Sequence, residues 1–281
     1  MTAAAPPRQT LSRAATVEGI GLHFGRRCRL TFRPARAGSG VVFRRTDLPG
    51  APTVRADVRN AVLVERRTQL GEGEGALHTV EHVLSAVVGA AVDDVEIEMD
   101  APEPPILDGS AGPFLDALEG AGVVASGGTA QVLELGESVR VADGESAYEA
   151  FPASALELEV EIDFPHPRIG RQRGRYVVTR ESYARELARA RTFGFVREVE
   201  TLRAQGLIRG ASTENAVVLD ECDVVGTALR WPDEFVRHKA MDCVGDLALA
   251  GARVRARVVA VRPSHRGTVM LVRAMTAAAR R

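Results

Sequence analysis

Cysteine is scarce. Only Cys28, Cys222 and Cys243 occur in 281 residues, odd in number, widely spaced and without a C-x-x-C pair. That pattern argues against a disulfide framework and a thiolate metal site and suits a reducing compartment, so all three are expected in the core as small hydrophobes. Net charge is equally scant: 36 Lys and Arg stand against 37 Asp and Glu, leaving −1. No global positive field exists to hold nucleic acid or anionic lipid, and an anionic ligand must be met locally. The longest apolar run, AVVGAAV from Ala86, is far too short to span a bilayer, and the opening MTAAAPPRQTLSRAATVEG has no apolar signal core. The expectation is a cytoplasmic protein without stable membrane insertion or a nucleic-acid partner.

What is present is ample core material, with 45% of residues hydrophobic. Strand-like runs with period two, CRLTFRPA, GVVFRRT and DDVEIEMD, fill the first half around a helix at residues 79–90 opened by Thr79 as N-cap and a short helix after Pro113. Periodicity vanishes in VASGGTAQ, residues 124–131, which reads as a linker. This divides the chain into an N-terminal domain, 1–125, and a C-terminal domain, 130–281. The second half has strands in ALELEVEIDF, AVVLDE and RVRARVVAVR, and helices in RESYARELARAR, VREVETLRAQG and DEFVRHKAMDCVGDLALAG. Strands and helices mix without strict β-α-β alternation, so the class is α+β.

The stretch LHTVEHVLSAVVGA carries two ionisable residues, Glu81 and His82, in an otherwise apolar helix. Helical geometry puts Glu81, His82 and Ser85 on one narrow stripe, and a buried carboxylate requires partners or a chemical role. In RHKAMDCVGDL, His238, Asp242 and Asp246 likewise recur at every fourth residue and share a face. A His and a carboxylate one turn apart, joined by a His from another helix, give three ligands and leave a tetrahedral position open, as in catalytic zinc sites. The bland alternative for the second helix alone is a stabilising His/Asp pair. Two imidazoles favour zinc over magnesium or calcium, while iron(II) also fits two His and one carboxylate. Glu81 adjoins His82 as the glutamate adjoins the first histidine of H-E-x-x-H helices, where it accepts a proton from the attacking water. That motif itself is absent, which disfavours a zincin protease.

TVEHVLSAVVG, PILDGSAGPF, ARARTFGF and DEFVRHKAMDCVGDLALAG followed by PSHRG, with GIGLHFG, FRRTDL and IDFPHP in order, resemble the bacterial UDP-3-O-acyl-N-acetylglucosamine deacetylases of lipid A biosynthesis. The resemblance covers nearly the whole chain. It implies two α+β domains of related topology, with helices packed between outer sheets and the active site at the domain junction. It further implies that His82, His238 and Asp242 bind zinc, Glu81 is general base, His265 stabilises charge or protonates the leaving amine, and Asp246 orients or charge-stabilises His265. Thr192 would help hold the oxyanion. Lys239 and Arg262 would meet the diphosphate, Phe164 would stack on uracil with Asp163 beside it, and residues 192–210 would be an inserted segment shaping an apolar passage for the acyl chain. Phe193, Val196, Leu202, Leu207 and Ile208 are suitable lining; a small satellite core is the other reading.

His23 falls in a matching motif, His78 reads as a surface or capping residue and His166 as a loop residue, while Asp108 and Ser110 read as a structural turn. Two positions depart from the family pattern: Ser264 and Ala211 stand where glycine is usual, and Ser264 would displace His265 if that position required a positive φ. The expected activity is zinc-dependent removal of acetate from UDP-3-O-acyl-N-acetylglucosamine, a nucleotide-sugar lipid precursor, by a monomer. The alternative is a metal amidohydrolase acting on another N-acylated amino sugar. A catalytically silent binding protein would lack Glu81 or a ligand, and all are present.

Overall fold

A computed structural model describes residues 5–279. Its six α-helices among those residues are α1 (Glu81–Gly89), α2 (Gly112–Ala121), α3 (Arg180–Glu186), α4 (Val199–Ala204), α5 (Glu234–Leu247) and α6 (His265–Ala278). The period-two runs form strands that bury alternate residues: in Arg27–Pro34, Cys28, Leu30 and Phe32 face inward while Arg27, Arg29 and Arg33 face solvent. Phe32 meets Phe114 of α2 edge-on at 6.4 Å, and both are fully buried. Such a side chain contributes roughly 1.5–3 kcal/mol by burial.

One sheet has the order Ala15–Ile20, Arg27–Pro34, Val95–Met99, Val41–Arg45, Thr53–Arg55. The other has Val139–Asp143, Ser146–Pro152, Arg253–Val261, Glu157–Phe164, Gly170–Val177, with Val132–Glu134 added at one end of Arg253–Val261. In each, the last strand in sequence lies centrally, antiparallel to the second strand and parallel to the third. The outer pairs are antiparallel in both. The halves therefore share one topology, and α1 and α5 occupy equivalent places before each central strand, α2 and α6 after it. α1 packs on both α2 and α5, α5 packs on α6, and α2 and α6 rest on their own sheets. The α+β class and the layering of helices between two sheets are as expected.

Several local expectations are corrected. Residues 124–129 are not a structureless linker: Val123–Thr129 is a strand paired with Pro7–Leu11. The register slips between Pro7↔Thr129 and Gln9↔Ala125, leaving Ser126, Gly127 and Gly128 in a bulge with both glycines at positive φ, which their lack of a side chain permits. Thr79 does not cap α1. It sits at φ 57° with its hydroxyl on the buried Glu103 carboxylate, and the helix begins two residues later. α3 stops at Glu186, short of the expected segment, although Thr179 closes a capping box with Ser182 at its start. Cys28 and Cys243 are buried, but Cys222 is exposed in a turn organised by Asp220.

PSHRG is not a loop with a strained serine. Ser264 is extended, at φ −122°, and its hydroxyl accepts from Gly267 N as N-cap of α6. The positive φ lies two residues earlier, at Arg262.

Candidate active site

α1 and α5 cross where a glycine allows contact: Gly245 lies directly against the backbone of Glu81. Ser85 of α1 donates to the Met241 carbonyl of α5 at 2.7 Å and receives the Tyr183 hydroxyl at 2.8 Å, fixing the register of the two helices. Their ionisable stripes then face each other. His82 and His238 direct Nε2 at the same oxygen, Asp242 Oδ1, at 3.6 and 3.5 Å. All three residues are buried.

These distances are too long for hydrogen bonds, and Asp242 Oδ1 has no hydrogen-bond partner among the described residues. Ligands of a tetrahedral ion with bonds of about 2.0–2.2 Å stand about 3.3–3.6 Å apart, so the spacing and the orphaned oxygen both fit a shared metal. The ligating atoms of His82, His238 and Asp242 lie within 4.8 Å of one another. His238 Nδ1 is 3.1 Å from the Ala190 carbonyl, which can only accept, so Nδ1 carries the proton and Nε2 offers its lone pair. Burial keeps His238 neutral, its pKa pushed down to about 4 in spite of Asp242. Burial opposes ionisation of Asp242, but His238 and Lys239 outweigh it and hold the carboxyl well below the usual range.

Glu81 and His265 stand beside this cluster. His265 Nε2 lies 3.8 Å from both Glu81 Oε1 and Asp242 Oδ2, while its Nδ1 is 3.0 Å from Asp246 Oδ2. Burial raises the Glu81 pKa, an effect that His265 and His82 partly offset. Burial disfavours the His265 imidazolium, yet Asp246 and Glu81 prevail and push its pKa up to about 9. An acidic side chain and an imidazole thus stand together beside the His82, His238 and Asp242 cluster, a pairing that suits general acid–base work.

The pattern of the family described as UDP-3-O-acyl N-acetylglycosamine deacetylase (LpxC) matches residues 8–277. The chain belongs to this family. A UDP-3-O-acyl-N-acetylglucosamine deacetylase from Geobacter sp. (strain M21) is 41% identical over 259 residues, covering 92% of this chain and 85% of the relative. The enzyme of that name from Bdellovibrio bacteriovorus is 41% identical over 267 residues, with 95% and 88% covered. That from Pasteurella multocida is 40% identical over 277 residues, with 96% and 90% covered.

The other residues singled out in this deacetylase-family chain fall into two groups. Thr192 is pinned through its backbone, N to the Gly109 carbonyl at 2.7 Å and O from Val217 N at 2.8 Å. It stands between Ala190, whose carbonyl meets His238, and Phe193, whose ring is 6.1 Å from that imidazole. Lys239 Nζ rests 2.8 Å from Asp242 Oδ2. Farther along the second sheet, Arg262 pairs with Asp163 at 2.8 Å and with Glu145 at 3.0 Å. Phe164 and Phe193 meet edge-on at 5.4 Å. His166 is buried with Nε2 on the Asp220 carbonyl, so it ties a loop. His78 is half-buried beside Phe24 and Arg67, neither on the surface nor a cap.

Sequence reasoning overlooked Thr68, which contacts Glu81, Asp246 and His265, and the buried Arg191–Glu234 pair, which anchors the Ala190–Phe193 segment to the start of α5. An arginine inside ARARTFGF followed by an aromatic run gave a faint sign of the pair; nothing around Thr68 gave any.

Proposed function

We propose that this chain is a zinc-dependent amidohydrolase that removes the N-acetyl group of UDP-3-O-acyl-N-acetylglucosamine, giving UDP-3-O-acyl-glucosamine and acetate, the committed step of lipid A biosynthesis. The observation that carries the reading is the convergence of His82, His238 and Asp242 with Glu81 and His265 at one buried point, in a chain of the deacetylase family. Zinc is the preferred ion because two neutral imidazoles and one carboxylate suit a borderline metal. When bound it would polarise the acetyl carbonyl and acidify water.

The residues divide the remaining work. Glu81 accepts a proton as water adds to the acetyl carbon. The Thr192 hydroxyl donates to the developing oxyanion. The C–N bond then breaks, and His265, held by Asp246, delivers a proton to the departing amine, so acetate leaves and the amine is set free. Lys239 and Arg262 would meet the diphosphate, Phe164 with Asp163 would receive the uridine end, and Phe193 would line the acyl passage. These pairs of basic and aromatic groups lie on the half that bears α5.

The segment at 192–210 supports an acyl passage. Val196 is 47% exposed, and Leu202, Leu207 and Ile208 are only half-buried and stay outside the main core, which argues against a closed satellite core. Backbone bonds from Arg209 and Gly210 to His23 and Leu22 dock this segment on the first half of the chain. We read residues 1–125 and 130–281 as two domains with the site at their junction. Because both ligand-bearing helices come from one chain, a monomer suffices. No helix among the described residues is long and apolar enough to cross a membrane, and a cytoplasmic enzyme is the reading we adopt.

The test compares acetate release from UDP-3-O-acyl-N-acetylglucosamine, from UDP-N-acetylglucosamine and from acylated N-acetylglucosamine without nucleotide. Burial of the acyl chain offers about 0.8 kcal/mol per methylene toward positioning the acetamide, so the first should have by far the highest kcat/KM. Equal or better turnover of the nucleotide-free sugar would replace this substrate with another N-acylated amino sugar.

A further inference from the structure

Thr68 lies just before the short strand Gln69–Leu70 and is 1% exposed, deep enough that each of its polar groups needs a partner. Its partners are the two proton-handling centres. The backbone N–H donates to Glu81 Oε2 at 2.9 Å, and the hydroxyl donates to Asp246 Oδ1 through a short hydrogen bond while lying 3.3 Å from His265 Nδ1. Thr68 therefore occupies one oxygen of each carboxylate. The other oxygens lie nearer His265: Nδ1 is 3.0 Å from Asp246 Oδ2 against 3.3 Å from the shared Oδ1, and Nε2 faces Glu81 Oε1 at 3.8 Å.

We infer that Thr68 is a positioning residue that sets the orientation of the Asp246–His265 pair relative to Glu81. A carboxylate can rotate about its own axis, and an imidazole follows the oxygen that accepts from its Nδ1. The hydroxyl holds Oδ1 of Asp246 on its own side and leaves Oδ2 the nearer acceptor for Nδ1, at 3.0 Å against 3.3 Å for Oδ1, which turns His265 Nε2 toward the reacting centre. The tie also crosses the molecule, because Thr68 and Glu81 belong to the first half of the chain and Asp246 and His265 to the second. Threonine is well suited to this position, since its methyl fills the buried site and its hydroxyl supplies the single donor. Without that hydroxyl, Asp246 Oδ1 would lose its short bond and keep only the longer contact with His265 Nδ1 at 3.3 Å.

This inference rests on the deacetylase reading, and the experiment separates the two. Acetate release is measured for the metal-replete wild type, Thr68→Val and Thr68→Ser. Valine keeps the shape and removes the donor; serine keeps the donor and removes the methyl. The expected result is a kcat lowered about 10- to 100-fold in Thr68→Val, the usual range for loss of an outer partner, with KM within about twofold and with most of kcat restored in Thr68→Ser. In proton NMR, the downfield imidazole N–H of His265, assigned by its loss in His265→Ala, should persist in wild type and Thr68→Ser and vanish or shift in Thr68→Val. That signal, followed in wild type and Thr68→Ser, still decides the matter if Thr68→Val does not fold: a His265 signal moved by Thr68→Ser contradicts the inference. Wild-type kcat in Thr68→Val, or equal losses in the two variants, overturns it while leaving the deacetylase reading intact. Absence of acetate release from wild type fails that reading first.

Discussion

A Cβ on Gly245 would lie 2.0 Å from the carbonyl oxygen of Glu81. The contact is backbone against backbone, so no side chain can swing aside to relieve it. It holds the start of α1 against α5 at the point where His82 must meet His238 and Asp242. Gly245→Ala should push the helices apart, destabilising the fold by about 1–3 kcal/mol as overpacking does and weakening metal binding as well. Thermal unfolding and metal titration would read the two effects, and an unchanged melting temperature with full metal affinity would show that the helices can separate freely.

In the proposed reaction Glu81 takes a proton and is not one of the three metal ligands. Glu81→Gln should keep its metal and lose roughly 10²- to 10⁴-fold in kcat, the range for one general acid or base. Elemental analysis alongside steady-state kinetics checks both halves. A variant retaining wild-type kcat with metal bound would remove Glu81 from the reaction.

The pH profile should be bell-shaped. Glu81 must be ionised, and burial raises its pKa, so the acidic limb should lie above the ordinary carboxylate range. His265 must be protonated, and its pKa of about 9 places the loss of activity on the basic side near that value, well above an unperturbed imidazole. His265→Ala should flatten the basic limb, and His265 should add stability that is complete below about pH 6.5 and lost as pH rises through about 9. A basic limb that stays in place in His265→Ala would reassign the acid.

His82, His238 and Asp242 should each be required for metal occupancy. Substituting any one by alanine leaves two ligands, and elemental analysis should find occupancy reduced at least about tenfold relative to wild type under the same dialysis. Full occupancy in all three variants would place the metal elsewhere.

Both helical stripes were legible because helical spacing converts sequence distance into a shared face: Glu81 and His82 in an apolar helix, His238, Asp242 and Asp246 at intervals of four. The strands with strict alternation, such as Arg27–Pro34 and Arg253–Val261, were legible for the same reason. Thr68 was not. Its role comes from contacts 13, 178 and 197 residues away in sequence, which no local pattern encodes. α6 was hard to see although Ser264 as N-cap and Val269, Val272 and Met275 at helical spacing mark it, because Gly267 and the β-branched Thr268 weaken the signal at its start. Thr79 is a capping residue by type, but its hydroxyl is taken by Glu103, a partner 24 residues away.

The measurement that bears most directly on the central claim is acetate release from UDP-3-O-acyl-N-acetylglucosamine by protein stripped of metal and then titrated with zinc. The account predicts negligible activity in the stripped protein and activity that rises linearly to a plateau near one zinc per chain, with one acetate and one free amine formed per substrate consumed. Full activity in protein shown by elemental analysis to contain no metal, or no acetate at any zinc level, would contradict it.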